Sequence, residues 1–226
     1  MKSPEMFKPI AVTLTLLTVV QFALGQSDLL KDVKNLDPLG VNIEAVRYKN
    51  KDAIRVTEIP GTRSETVVIL NGVEFKNGTI ELEVAGDRLP GSDTTARGFI
   101  GLAFRLKKKD SIAYECFYLR PTNGRAEDQL RRNHAVQYIS HPKYTWFRLR
   151  KENPGLYESY ADLVAGEWTR VKIVVRDQYA RLYVNDAAQP CLMVRRMLHP
   201  ASSGQLALWI GLGTDGYFRN LRVKPN

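Results

Sequence analysis

Residues 166–186 read GEWTRVKIVVRDQYARLYVND, and their alternation decides the fold class. Val171, Ile173 and Val175 fall on one side of an extended chain with Lys172 between them; further on, Leu182 and Val184 share a side while Arg181 and Tyr183 take the other. Successive side chains of a strand point to opposite faces, so this spacing predicts a hairpin whose apolar members fill the space between two sheets. Each such side chain contributes roughly 1.5–3 kcal/mol on burial. A slip of one residue would expose the whole set, which fixes the register.

The same period of two, carried by β-branched and aromatic residues, recurs along the chain. Strands are predicted at 42–48, 53–59, 65–70, 79–84, 98–106, 112–120, 135–140, 146–150, 169–176, 180–185, 191–194, 205–210 and 217–223. Turns are expected at the Asn-Gly, Gly-Ser and Asp-Gly steps that begin at Asn71, Asn77, Gly91 and Asp215. Past the N-terminal segment no stretch keeps a 3.6-residue apolar stripe over three turns, so the chain reads as all-β. Many strands joined by short turns predict a two-sheet antiparallel β-sandwich of the jelly-roll kind, one domain over 26–226. Three loops break the rhythm, at 87–97, 121–133 and 151–165, and long loops on a rigid sandwich are where binding usually sits.

The first residues have a different character. Lys2 and Lys8 precede an apolar run over 11–23, with the small residues Ala23 and Gly25 placed three and one positions before Gln26. This is the pattern of a signal peptide over 1–25, cleaved before Gln26. The run is shorter than the ~20 apolar residues of a membrane span, so the mature domain is expected to be secreted or periplasmic and free of the membrane. Of the formal charge of +9, much is local: eight basic residues stand against Glu127 and Asp128 between Tyr118 and Lys151. A local excess of this kind suggests an anionic partner. Nucleic acid is disfavoured, because an exported domain with its charge confined to one region has little access to it. Cys116 and Cys191 can pair in an oxidising compartment or stay as separate buried thiols, and no Cys/His spacing of the zinc type is present.

After residues 166–186 come GQLALWIG and GYFRNLRV, and upstream lies EFKNGTIELEV over 74–84. Together these resemble the concanavalin A-like (laminin G-like jelly-roll) superfamily, in which a Trp opens a strand and a final F-x-N-L-x-V strand pairs back to the start. The general pattern is also similar to bacterial secreted domains of the 3-keto-disaccharide hydrolase type. The resemblance implies a β-sandwich that serves lectins, glycosidases or protein-adhesion modules. It implies no cofactor beyond a structural Ca²⁺ of the kind jelly rolls carry in loops, for which the 87–93 loop has oxygens to offer. The laminarinase-like E-x-D-x-x-E strand is absent; Glu81 and Glu83 are the nearest carboxylates.

Strand parity then groups the candidate site. With Phe117 and Leu119 inward, Tyr118 and Arg120 point outward with Tyr114; with Phe147 and Leu149 inward, Trp146, Arg148 and Arg150 point outward. Tyr138 is expected outward opposite Ile139, and Trp209 opposite Leu208 and Ile210. Aromatic faces pack on the C–H side of a pyranose while Arg forks and amides such as Asn123 and Gln137 take its hydroxyls or carboxylate. Gly101 and Ala103 are expected to leave room for the ligand. This predicts an oligosaccharide or polysaccharide, with an acidic glycan suggested by the charge. A second arrangement uses the same residues: the 121–133 and 151–165 loops fold over them as a minor core, with Arg125, Arg131 and Arg132 paired to Glu127, Asp128, Glu152 or Glu158. Were the site catalytic, His134 or Glu115 would be its general base.

Overall fold

The computed structural model describes residues 28–63, 65–109 and 111–226. The signal segment expected at 1–25 lies outside the described residues. In chain order the strands are β1 (Leu36–Leu39), β2 (Val41–Tyr48), β3 (Lys51–Glu58), β4 (Val67–Phe75), β5 (Gly78–Arg88), β6 (Ile100–Lys108) and β7 (Ile112–Leu119). They continue as β8 (Val136–His141), β9 (Glu158–Ser159), β10 (Thr169–Arg176), β11 (Tyr179–Val184), β12 (Leu192–Val194), β13 (Gly204–Ile210) and β14 (Thr214–Pro225). The front sheet has the order β1-β4-β13-β6-β7-β8-β9 and the back sheet β12-β11-β10-β5-β14-β3-β2, with every pairing antiparallel. Two short helices, α1 (Gln129–Asn133) and α2 (Trp146–Glu152), interrupt the strands.

The hairpin read from 166–186 is β10 and β11. Ile173 lies opposite Leu182 and Val171 opposite Val184, and Val171, Ile173, Val175, Leu182 and Val184 are all buried. Across the core they face the inner side of the front sheet, where Leu102 sits between Leu208 and Phe117. The contact is tight at Gly216 of β14, whose missing Cβ would stand 3.0 Å from Ile210 and 3.3 Å from Ile100 of the front sheet.

Elsewhere the structure departs from the sequence reading in instructive ways. Residues 146–150 are not a strand but the first part of α2. Thr145 caps it by accepting from the Arg148 N–H, and Arg148 and Glu152 pair one turn apart. Five residues with Phe147 and Leu149 in alternation fit either period; in the helix Leu149 is buried while Phe147 is 64% exposed. Asn71-Gly72 is not a reversal either. β4 runs on through it, and the register against β13 jumps between Gln205 and Ala207, with Gly72 at φ +75° supplying the bulge. β1, which no sequence pattern predicts because proline argues against a strand except at an edge, carries Pro38 at the edge of the front sheet. Cys116 lies in the front sheet and Cys191 leads into β12 of the back sheet; both are free thiols.

Gly101 overturns a further expectation. A Cβ there would meet the Phe117 carbonyl oxygen at 2.1 Å and Tyr118 Cα at 2.6 Å, so the position serves the close approach of β6 to β7 and opens no space for a ligand. Gly101→Ala is therefore expected to destabilise by about 3 kcal/mol, the upper end for overpacking against immobile neighbours. Leu182→Ala should cost about 2–5 kcal/mol, while Tyr179→Ala, exposed at the far end of the same hairpin, should stay within about 0.5 kcal/mol. Urea unfolding of the three variants checks the ranking.

Candidate functional site

The outer face of the front sheet carries the site. Because Trp209 pairs with Gly101 and Gly101 with Tyr118, the two rings approach across the glycine to 4.7 Å. Phe99, just before β6, sets its ring edge-on to Tyr118 at 6.2 Å. Trp209 Nε1 donates to Tyr114 Oη (3.1 Å), and Tyr114 in turn donates to Glu65 (2.5 Å). His141 stacks on the Tyr114 ring at 4.7 Å. Around this floor stand Glu58, Thr62, Arg63, Glu65 and Thr66, the 92–99 and 211–213 segments, the Arg120–His134 connection and the start of α2, enclosing a cleft of about 950 Å³.

Arg120 is the polar centre of the floor. It is 5% exposed and lies along the Tyr118 ring, 4.9 Å from its centroid. Its Nη2 donates to Tyr118 Oη (2.7 Å) and to Gln137 Oε1 (3.2 Å), and its Nη1 to the His134 carbonyl (2.9 Å). Burial pushes the Tyr118 phenol up to about 12. Burial, aided by the nearby Arg150 charge, draws the Arg120 guanidinium below its ordinary value. At the rim, Arg150 forks both oxygens of Glu158 (2.7–3.1 Å) and sits 5.0 Å from the Trp146 ring. His134 Nε2 lies 3.2 Å from Glu158 Oε1.

Of the residues expected from sequence, Tyr118, Arg120, Asn123, Trp146, Arg150 and Trp209 line the cleft together with His134. Gln137 lies beneath the floor, its amide donating to the carbonyls of Tyr138 and Tyr157. Tyr138 faces the opposite way. Its pairing with Phe117 puts it on the inner face, where it is fully buried and donates to Glu115. Glu115 is in the same inter-sheet position, accepting from the His199 N–H at 2.8 Å, and burial raises its carboxyl pKa; it is cut off from the cleft. Arg148 points away, paired with Glu152 (2.8 Å) and lying over Tyr144. Glu81 and Glu83 belong to β5 of the back sheet.

The minor-core arrangement is realised in part. Arg120, Asn123 and Gln137 are covered, yet Arg125 pairs with Asp162, Arg132 bonds the Tyr160 hydroxyl and Arg131 reaches Asn123. Phe99, Arg97 and Glu65 line the cleft and were not singled out from sequence. The polar 87–97 loop is the signal for Arg97; for Phe99, at the start of the strand expected at 98–106, and for Glu65 there is none. Asp93 spends its carboxylate on Thr95 in its own turn, and among the described residues no group of three or more His, Cys, Asp or Glu could hold a metal ion.

No family model matches the chain, and no curated protein matches it. Solved structures do. A carbohydrate-binding module CBM66 from Bacillus subtilis superposes with a TM-score of 0.56 at 11% identity, over 83% of this chain and 93% of the module. The VIP36 exoplasmic/lumenal domain, in its Ca²⁺/Man3GlcNAc-bound form, gives 0.54 at 10% identity over 88% of each chain. A native glycosidic hydrolase gives 0.50 at 12% identity, over 86% of this chain and 92% of that one. The fold is concanavalin A-like. At these identities the likeness is one of architecture, as the sequence motifs implied, and chemistry rests on the cleft itself.

Burial, opposed by the neighbouring carboxylate, holds both His134 and His141 below the ordinary histidine value, and for His134 the Arg150 and Arg120 charges add to the depression. As pH falls through about 6.5 the unfolded chain takes up these protons before the folded one does, so stability is lost on acidification. The urea midpoint of the His134→Gln/His141→Gln double variant is expected to fall less between pH 7 and pH 5 than that of the unaltered protein; parallel slopes would contradict it.

Proposed function

We propose that this is an exported carbohydrate-binding protein whose cleft receives a glycan against Phe99 and Trp209, with Tyr118 buried beneath them. The observation that carries the reading is a cleft lined by the half-buried rings of Phe99 and Trp209 and the exposed ring of Trp146, with Arg97, Asn123 and Arg131 also in its lining. Flat apolar faces interleaved with forked donors are what a pyranose requires, since one side of the ring presents C–H groups and its edge presents hydroxyls. The cleft volume is at the upper end of the ~300–1,000 Å³ range of small-ligand sites, enough for more than one sugar ring. The carbohydrate-binding neighbours in fold support this reading without naming the sugar.

The His134–Glu158–Arg150 group supports a second reading, a hydrolase of 3-keto-disaccharides or related glycosides. Arg150 anchors Glu158, Glu158 orients the imidazole, and the depressed pKa leaves His134 neutral near pH 7, the form a general base needs.

Titration calorimetry against a panel of neutral and acidic oligosaccharides is expected to detect binding, with Trp209→Ala weakening it about tenfold or more, the loss of one stacked ring. Silence towards every sugar, with one stoichiometric protein recovered from the native surface fraction, would move the assignment to an adhesion module. Turnover of a 3-keto-glucoside that His134→Gln abolishes would establish the hydrolase. N-terminal sequencing of the exported protein should begin at Gln26.

A further inference from the structure

Three arginines in the cleft lack an acidic partner. Among the described residues no carboxylate oxygen lies within 4.0 Å of the guanidinium of Arg97, Arg120 or Arg131. They are close to one another. Arg131 Nη2 is 3.5 Å from Asn123 Oδ1, Asn123 Nδ2 donates to the His134 carbonyl at 3.4 Å, and the same carbonyl accepts from Arg120 at 2.9 Å. Arg120 lies 6.0 Å from the Phe99 ring, two residues beyond Arg97. Arg97 spends one nitrogen on the Thr94 and Ala96 carbonyls.

The carboxylates that share the cleft are engaged elsewhere: Glu58 accepts from the Gly213 N–H, Glu65 from Tyr114, and Asp93 from Thr95. Glu158, the nearest acid to His134, is forked by Arg150. Arg120 commits three of its five N–H donors, all to neutral oxygens. A guanidinium buried with no carboxylate in contact is costly to the fold; Glu158 acts on Arg120 only from beyond 4.0 Å, and the guanidinium is held in place by Tyr118, Gln137 and the His134 backbone at the floor of an open cleft.

We infer that Arg120, flanked by Arg97 and Arg131, is a subsite for an anionic substituent of the glycan, a carboxylate or a sulfate ester, seated beside the aromatic floor. The inference rests on the glycan reading and adds to it the chemical class of sugar. A charged group entering there supplies the missing counter-ion, and charge-assisted bonds from planar forks select it over a hydroxymethyl group of similar size.

The test is calorimetry with three forms of one oligosaccharide: uronate-containing, carboxyl-reduced and sulfated. At least one charged form should bind about tenfold or more tightly than the neutral one, as hydrogen bonds to a charged group allow, and the advantage should shrink with added NaCl. Arg97→Gln/Arg131→Gln, at rim positions that leave buried Arg120 in place, should narrow that gap to less than about threefold if these charges contribute as such pairs do; thermal melting confirms the fold. The two charged arms distinguish carboxylate from sulfate. Equal affinity for all three forms overturns the subsite while leaving glycan binding intact; no binding of any form overturns the glycan reading and the subsite with it.

Discussion

The register of β7 between β6 and β8 is the constraint on which the site depends. Phe117 lies opposite Leu102 on one side and Tyr138 on the other, so Tyr118 lies opposite Gly101 and Gln137. With the phase set this way, the first group faces the back sheet and the second faces the loops. Shifting the pairing by one residue would send Phe117 outward and Tyr118 into the inter-sheet core. The absent side chain at Gly101 allows this pairing, because any Cβ would collide with the β7 backbone.

From that phase the cleft follows. Tyr118 and Trp209 meet across the glycine, and Arg120, leaving the end of β7, folds back along the Tyr118 ring to bond its hydroxyl. The connection that carries the excess of basic residues then passes over the outer face and closes part of it. The result combines two arrangements that the sequence presented as alternatives. Arg120, Asn123 and Gln137 are buried as a minor core would have them, and yet among the described residues no carboxylate is in contact with the arginine at the centre, which lines a cleft open to solvent. Where an acid is present, as Glu158 is for Arg150, it joins a histidine and a second charge into a fixed group at the rim.

Much of the sandwich was legible because its signal is local. In β10 and β11 alternate residues are buried and exposed, and Asn77 marks the end between β4 and β5, whereas the Asp215-Gly216 step expected as a turn lies inside β14, paired with β3 and β5 on either side. The cleft was legible in composition more than in geometry. Tyr118, Arg120, Asn123, Trp146, Arg150 and Trp209 do converge, but Trp146 and Arg150 arrive there on a helix that a five-residue alternation disguised as a strand. Apolar character points Ile139 to the core and Tyr138 outward, but the front sheet is covered on both faces, both residues are buried, and Tyr138 is the inward one. Glu115 lies away from the cleft for a different reason: a carboxylate between two sheets is costly, and here the Tyr138 hydroxyl and the His199 N–H help to make it tolerable.

The amino-acid sequence by itself determined that this chain forms an antiparallel sandwich and that its basic and aromatic residues cluster in one region, since strand period, turn residues and local charge are properties of neighbours along the chain. Only the tertiary structure decided which rings face each other, which arginines find acids and which go without. Those outcomes depend on cross-strand register and on loops returning from distant positions, as when Glu158 and Arg97 come to flank a floor built from β7 and β13, and no local pattern encodes a pairing made across so many residues.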